Sequence, residues 1–78
     1  MNAAQCKMAR AALGFGVREL ASRAEVSTQT VTRFERGEAL KAATVERLQT
    51  VLEACGIEFI PENGGGAGVR FRSPSAPE

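Results

Sequence analysis

Apolar side chains recur along this chain at two different spacings, and the change of spacing divides it. In Ala3–Leu13, the residues Cys6, Ala9, Arg10 and Leu13 fall on one face at intervals of three and four, the period of an α-helix. The segment is rich in alanine, the strongest helix former. Asn2, with Gln5 three residues later, makes a capping box that starts it, and Gly14-Phe15-Gly16 ends it. Val17–Ala24 predicts a second, short helix with Gly16 as its N-cap and Leu20, Ala21 and Ala24 facing inward. Glu25-Val26 is a tight connection. Ser27 caps a third helix over Thr28–Arg36, whose apolar positions are Val31 and Phe34, and Gly37 stops it in the left-handed conformation favoured after a helix end. Glu38–Ala43 connects to a fourth helix, capped by Thr44 and running to about Cys55, with Val45, Leu48, Val51, Leu52 and Cys55 on its apolar side. Gly56 is its stop.

Past Gly56 the period drops to two. Ile57-Glu58-Phe59-Ile60 is β-branched and aromatic and predicts a strand, and Val69-Arg70-Phe71-Arg72 alternates apolar and basic as a half-buried strand does. Pro61–Gly68 is a flexible, glycine-rich connection, and Ser73–Glu78, with two prolines, is expected to be a disordered tail. The organisation expected is a helical unit over residues 1–56, a β-hairpin extension over 57–72 and a tail over 73–78. The fold class is mainly α, with four helices and a C-terminal β-hairpin.

Composition narrows the function. The chain of 78 residues is one small domain, 44% apolar and 24% charged, as a soluble globular protein is. No apolar run reaches the roughly 18–20 residues that span a bilayer, and Met1–Arg10 lacks the basic-then-apolar order of a secretory signal; a cytoplasmic, nucleoid-associated protein is expected. There is no histidine, so the commonest general base and the commonest metal ligand are both missing. Two cysteines, Cys6 and Cys55, are too few for a disulfide scaffold or a four-cysteine zinc site. They lie on apolar helix faces and read as reduced core thiols. The glycine-rich stretch Gly64–Gly68 has no Gly-Lys-Ser/Thr after it and no helix, so it is a hairpin loop and not a phosphate loop. Neither metal nor cofactor is expected, and a binding module is favoured over an enzyme.

The net charge of +1 hides an asymmetry. Met1–Gly37 carries Lys7, Arg10, Arg18, Arg23, Arg33 and Arg36 against Glu19, Glu25 and Glu35. Glu38–Asn63 carries only Lys41 and Arg47 against Glu38, Glu46, Glu53, Glu58 and Glu62. A basic half and an acidic half suggest one side that faces a polyanion.

The second and third helices meet through a tight turn, and the third begins at a serine cap. That is the layout of a helix-turn-helix. Ala21 is small where the two helices cross, Leu20, Val26, Val31 and Phe34 lock the pair to the core, and Thr28, Gln29, Thr32 and Arg33 form the polar outer face of the third helix.

At these residues the chain resembles the Xre/lambda-repressor-like helix-turn-helix regulators. Arg10-Ala-Ala-Leu-Gly-Phe-Gly-Val-Arg-Glu-Leu-Ala matches the opening of their motif, and Val26-Ser-Thr-Gln-Thr-Val-Thr-Arg-Phe-Glu-Arg-Gly matches its recognition-helix ending. The resemblance covers roughly Ala4–Cys55. It implies that Arg10 of the first helix pairs with Glu35, which explains an arginine on an apolar face. It implies base reading by Thr28, Gln29, Thr32 and Arg33. Their side chains suit base edges, since glutamine can fork onto adenine, arginine onto guanine, and threonine offers a hydroxyl and a methyl group. Arg10, Arg18, Arg36 and Lys41, with the N-terminal end of the second helix, would meet phosphates. The chain departs from the family in two places. The turn position that usually holds glycine is Glu25, where a positive φ costs about 1 kcal/mol. The first residue of the second helix, often Gln, Ser or Thr, is Val17, so a phosphate contact there must come from the backbone amide.

An isolated hairpin is weak, and its edges invite pairing. Ile57, Phe59, Val69 and Phe71 are therefore expected to help build a homodimer that sets two recognition helices about 34 Å apart on double-stranded DNA; the alternative is a hairpin that caps a monomer. The function expected is a sequence-specific transcriptional regulator. The rival readings are a protein-interaction module such as an antitoxin or adaptor, with a protein partner, and a thiol-based sensor. The sequence leaves the operator, the sign of regulation and the pathway open.

Overall fold

In a computed structural model, which describes residues 1–73, the chain forms four helices followed by a two-stranded antiparallel sheet. Helix α1 spans Ala3–Leu13, and both halves of its capping box form: Asn2 Oδ1 accepts from the Gln5 backbone N–H at 2.8 Å, and the Asn2 N–H donates to Gln5 Oε1 at 2.9 Å. Helix α2 spans Val17–Ala24. Helix α3 spans Thr28–Glu35, with the Thr30 N–H donating to Ser27 Oγ at 3.1 Å. Helix α4 spans Ala42–Ala54.

Three boundaries differ from the expected ones. Helix α4 begins at Ala42, so Thr44 lies inside it and Lys41 is its N-cap. No side chain caps this end; the Lys41 carbonyl accepts from the N–H groups of Thr44 and Val45 at 3.0 and 3.1 Å. Two alanines, which cost least in a helix, carry the first turn past the threonine. At the end of α3, Arg36 is the C-cap and not a helical residue. The second strand is displaced by one residue toward the N-terminus.

Strands β1 (Ile57–Ile60) and β2 (Gly68–Phe71) pair with Ile57 opposite Phe71, Glu58 opposite Arg70, Phe59 opposite Val69 and Ile60 opposite Gly68. Arg72 thus falls just outside the ladder, where its N–H donates to the Gly56 carbonyl at 2.9 Å. Successive side chains alternate between the faces of a strand, so Ile57, Phe59, Val69 and Phe71 share one face and Glu58 and Arg70 the other. The tail expected from Ser73 onward lies, beyond Ser73 itself, outside the described residues.

One core serves all six elements. Cys6, Ala9, Leu20, Ala21, Ala24, Val31, Phe34, Leu48, Leu52 and Ile57 are buried together. Leu13, Val45 and Val51, expected on inward faces, lie half-buried around this core with Phe59, Val69 and Phe71, and Cys55 is likewise only half-buried. The hairpin is therefore not a loose appendage. Ile57 is 1% exposed, and the sheet lies against α1 and α4.

Two side chains fasten it, one at each end. Gln5 is 5% exposed, and while its Oε1 completes the capping box, its Nε2 donates to the carbonyls of Ile60 and Gly68, each at 3.0 Å. One amide thus closes the start of α1 and clamps both strands. At the other end of the hairpin the Arg72 guanidinium donates to the Glu53 carbonyl in the last turn of α4, where a cation is favoured by the helix dipole.

Candidate functional site

Helices α2 and α3 form the helix-turn-helix, and the turn between them is held by backbone bonds. The Val26 N–H donates to the Ala21 carbonyl at 3.0 Å and the Glu25 N–H to the Ser22 carbonyl at 3.2 Å. This closure requires a left-handed residue, and Glu25 adopts it with φ 58°, the only non-glycine with positive φ among the described residues. Leu20, Ala21 and Ala24 of α2 and Val31 and Phe34 of α3 are buried between the helices and the rest of the core. The opposite side of α3 is left to solvent.

Glu35, in the last turn of α3, is 7% exposed and anchors the helix to α1. Arg10 donates from Nε to Glu35 Oε2 and from a terminal nitrogen to Oε1, both at 2.7 Å, and from its other terminal nitrogen to the Phe15 carbonyl at 3.1 Å. Cys6 Sγ donates to Glu35 Oε2 at 3.2 Å. Burial pushes the Glu35 carboxyl up, but the hydrogen bonds from Arg10 and Cys6 and the nearby charges of Arg10 and Lys7 outweigh it, and it sits below its ordinary value. Burial, reinforced by the hydrogen bond to Glu35, pushes the Cys6 thiol up to about 12. The thiol keeps its proton at neutral pH and remains a donor. Among the described residues no buried polar side-chain atom lacks a partner.

This anchoring leaves one exposed polar face on α3. Thr28, Gln29, Thr32, Arg33 and Arg36 line a single open concavity. Its groups are not all equally free. The Thr32 hydroxyl donates to the Thr28 carbonyl at 3.0 Å, which uses its proton and leaves the oxygen able to accept. Arg33 and Arg36 both pair with Glu38, at 3.4 and 3.1 Å. Gln29 is exposed.

The residues expected to meet phosphates are placed unevenly. Arg18 and Lys41 are exposed, near the N-terminal ends of α2 and α4, and neither helix start is capped by a side chain. Arg36 shares the α3 concavity. Arg10 is 20% exposed and gives three of its five N–H groups to Glu35 and Phe15. Of the residues expected at a dimer contact, Ile57 faces its own core, and Phe59, Val69 and Phe71 are half-buried.

Several contacts are absent from the sequence expectations. Glu38 has only the signal of a connecting residue, yet it meets two arginines. Gln5 has the signal of a capping residue and no hint of its bonds to the strands. Arg23 lies over the Phe15 ring at 4.4 Å and pairs with Glu19 at 2.7 Å. Arg70 pairs with Glu58 across the strands at 3.1 Å. The i,i+4 spacing of Glu19 and Arg23 is a usable signal; the Glu58–Arg70 pair needs the strand register first.

A protein-family model described as a helix-turn-helix domain matches residues 3–58. No curated relative matches the chain.

Proposed function

The chain belongs to the helix-turn-helix domain family, and from that membership we propose that it is an Xre-like, sequence-specific regulator that binds double-stranded DNA as a homodimer. One observation carries the reading: α3 buries Val31, Phe34 and Glu35 and turns Thr28, Gln29, Thr32, Arg33 and Arg36 outward as one contiguous polar and cationic face. A helix so presented can lie in a major groove, which at about 12 Å wide admits an α-helix.

In this reading Gln29, Arg33, Thr28 and Thr32 read base edges. Arg18, Arg36 and Lys41 meet phosphates, helped by the open first turn of α2. Arg10 acts mainly through Glu35, setting the angle of α3, with two N–H groups left for a phosphate. No catalytic step and no cofactor enter the mechanism. No helix among the described residues is long and apolar enough to cross a membrane, and a cytoplasmic place on the nucleoid follows from the DNA-binding role.

The open edges of a two-stranded sheet support pairing with a second copy, edge to edge, since the apolar face of the sheet is turned to its own core. A dimer on a palindromic site would set its two α3 helices about 34 Å apart, one turn of the duplex.

Fluorescence anisotropy with duplexes selected from a random pool, at several salt concentrations, tests the DNA reading. Binding that weakens steeply with salt and prefers the selected site is expected; no binding at low salt would refute it. Light scattering of the free chain and of the complex tests the dimer, for which two chains per duplex are expected.

A further inference from the structure

We propose that Glu38 is a specificity-determining residue of the α3 face: it orients Arg33 toward a base edge and weakens attachment to DNA of arbitrary sequence. The inference rests on the DNA-binding reading above.

The position of Glu38 is set by the backbone. At the end of α3 the Gly37 N–H donates to the Phe34 carbonyl at 2.9 Å and the Glu38 N–H to the Arg33 carbonyl at 3.0 Å. The pair of bonds needs a left-handed residue at position 37, and Gly37 supplies it with φ 97°. This turn brings its last residue beside the one five positions earlier, where an apolar pair commonly packs. Here the two residues are Glu38 and Arg33, and the contact is ionic. Glu38 Oε1 lies 3.4 Å from Arg33 Nε, and Oε2 accepts from a terminal nitrogen of Arg36 at 3.1 Å.

The atoms involved decide the consequence. Arg33 meets Glu38 through Nε, which leaves both terminal amino groups for the forked contact with guanine O6 and N7. The carboxylate can therefore stay in place while Arg33 reads a base, and it restricts the side chain to that direction. Toward a phosphate it acts the other way. One carboxylate sits between two guanidinium groups and cancels part of the charge that would attract the backbone, and it repels a phosphate directly. A guanine edge carries only partial negative charge and is repelled less. Glu38 thus weakens contacts that carry no sequence information more than the one that does.

The test uses the full chain and three variants: Glu38→Gln, Glu38→Ala and, as a control for net charge, Glu46→Gln, which removes an exposed charge on α4. Affinity is measured for a selected duplex and for a randomised one across a salt series, and thermal melting verifies that each variant is folded. In Glu38→Gln, affinity for randomised DNA should rise about 3- to 10-fold at roughly 0.1 M salt, and the slope of log affinity against log salt should steepen by about one. Affinity for the selected site should change by less than about twofold, because the amide still offers an oxygen to Arg33. In Glu38→Ala it should fall while randomised binding rises. The preference for the selected site should drop by at least about 1.5-fold in Glu38→Gln and about threefold or more in Glu38→Ala, and hold in Glu46→Gln. An unchanged preference in the Glu38 variants, or an equal drop in Glu46→Gln, overturns the role of Glu38 and leaves DNA binding standing. A wild-type chain that binds neither duplex at low salt overturns both.

Discussion

Arg10 and Glu35 meet side-on between α1 and α3, through two hydrogen bonds of 2.7 Å that fill both carboxylate oxygens. The pair is unequally buried, Glu35 being 7% exposed and Arg10 20%. Removing Arg10 would strand a buried carboxylate whose remaining donor is Cys6.

Arg10→Met should destabilise the fold by about 2–3 kcal/mol, below the cost of breaking a fully buried pair because Arg10 still reaches water. Urea unfolding, taken around a double-mutant cycle with Glu35→Gln, measures it. The pair also predicts a pH dependence. The Glu35 carboxyl is held below its ordinary 4.5 in the folded chain, so its contribution is complete above that value and is lost as pH falls through the lowered one. The wild type should lose stability below about pH 4.5, and Glu35→Gln should be flatter there. Parallel acid curves would refute the coupling.

Gln5 is the single side chain that binds the start of α1 to both strands. Gln5→Leu fills a similar volume but removes the donor to Ile60 and Gly68 and the acceptor from Asn2. A loss of about 1–3 kcal/mol is expected. Amide hydrogen exchange should quicken first in Ile57–Phe71 and least in α2 and α3. Uniform quickening would mean that the hairpin is not held locally.

Glu25 takes a left-handed conformation that a side chain disfavours. Glu25→Gly should raise stability by about 0.5–1 kcal/mol, the relief of strain exceeding the extra freedom of the unfolded chain. A lower melting temperature would show that the Glu25 side chain makes a compensating contact.

The two thiols should differ in reactivity. Cys6 is fully buried with its thiol pushed up to about 12, whereas Cys55 is half-buried, with Sγ 3.8 Å from the Arg23 guanidinium. The thiolate is the reactive form. Ellman's reagent should label Cys55 well before Cys6 in the native chain and both at once in denaturant. Equal native rates would contradict the burial of Cys6.

On the α3 face, Arg33→Ala should cost about 1–3 kcal/mol of binding to a selected site and relax preference at one base position. Arg36→Ala should weaken binding to every sequence alike and reduce the salt slope by about one. Anisotropy against single-base variants of the site separates the two, and the same profile from both variants would undo the assignment of base and phosphate roles.

The features legible in the sequence are local ones. The bounds of α1 and α2, the cap at Ser27, the stop at Gly37 and the first strand can all be read from it, because a helix bonds within four residues and a cap within three, so the signals lie beside the structure they specify. Where no side chain specifies an end, as at Lys41, the sequence pattern misplaces the start of α4. The polar outer face of α3 is legible too, since it is the complement of the periodicity that buries Val31 and Phe34. The use of the Gln5 amide is a matter of tertiary folding, because its partners lie 55 and 63 residues away. So is the register that opposes Glu58 to Arg70. The contact of Glu38 with Arg33 and Arg36 is local by comparison, five and two residues away through the left-handed glycine, but charge spacing alone does not say which side chains the turn brings together. The interaction energies of such groups depend on distance in space, and spacing along the chain does not record that distance until the fold has closed.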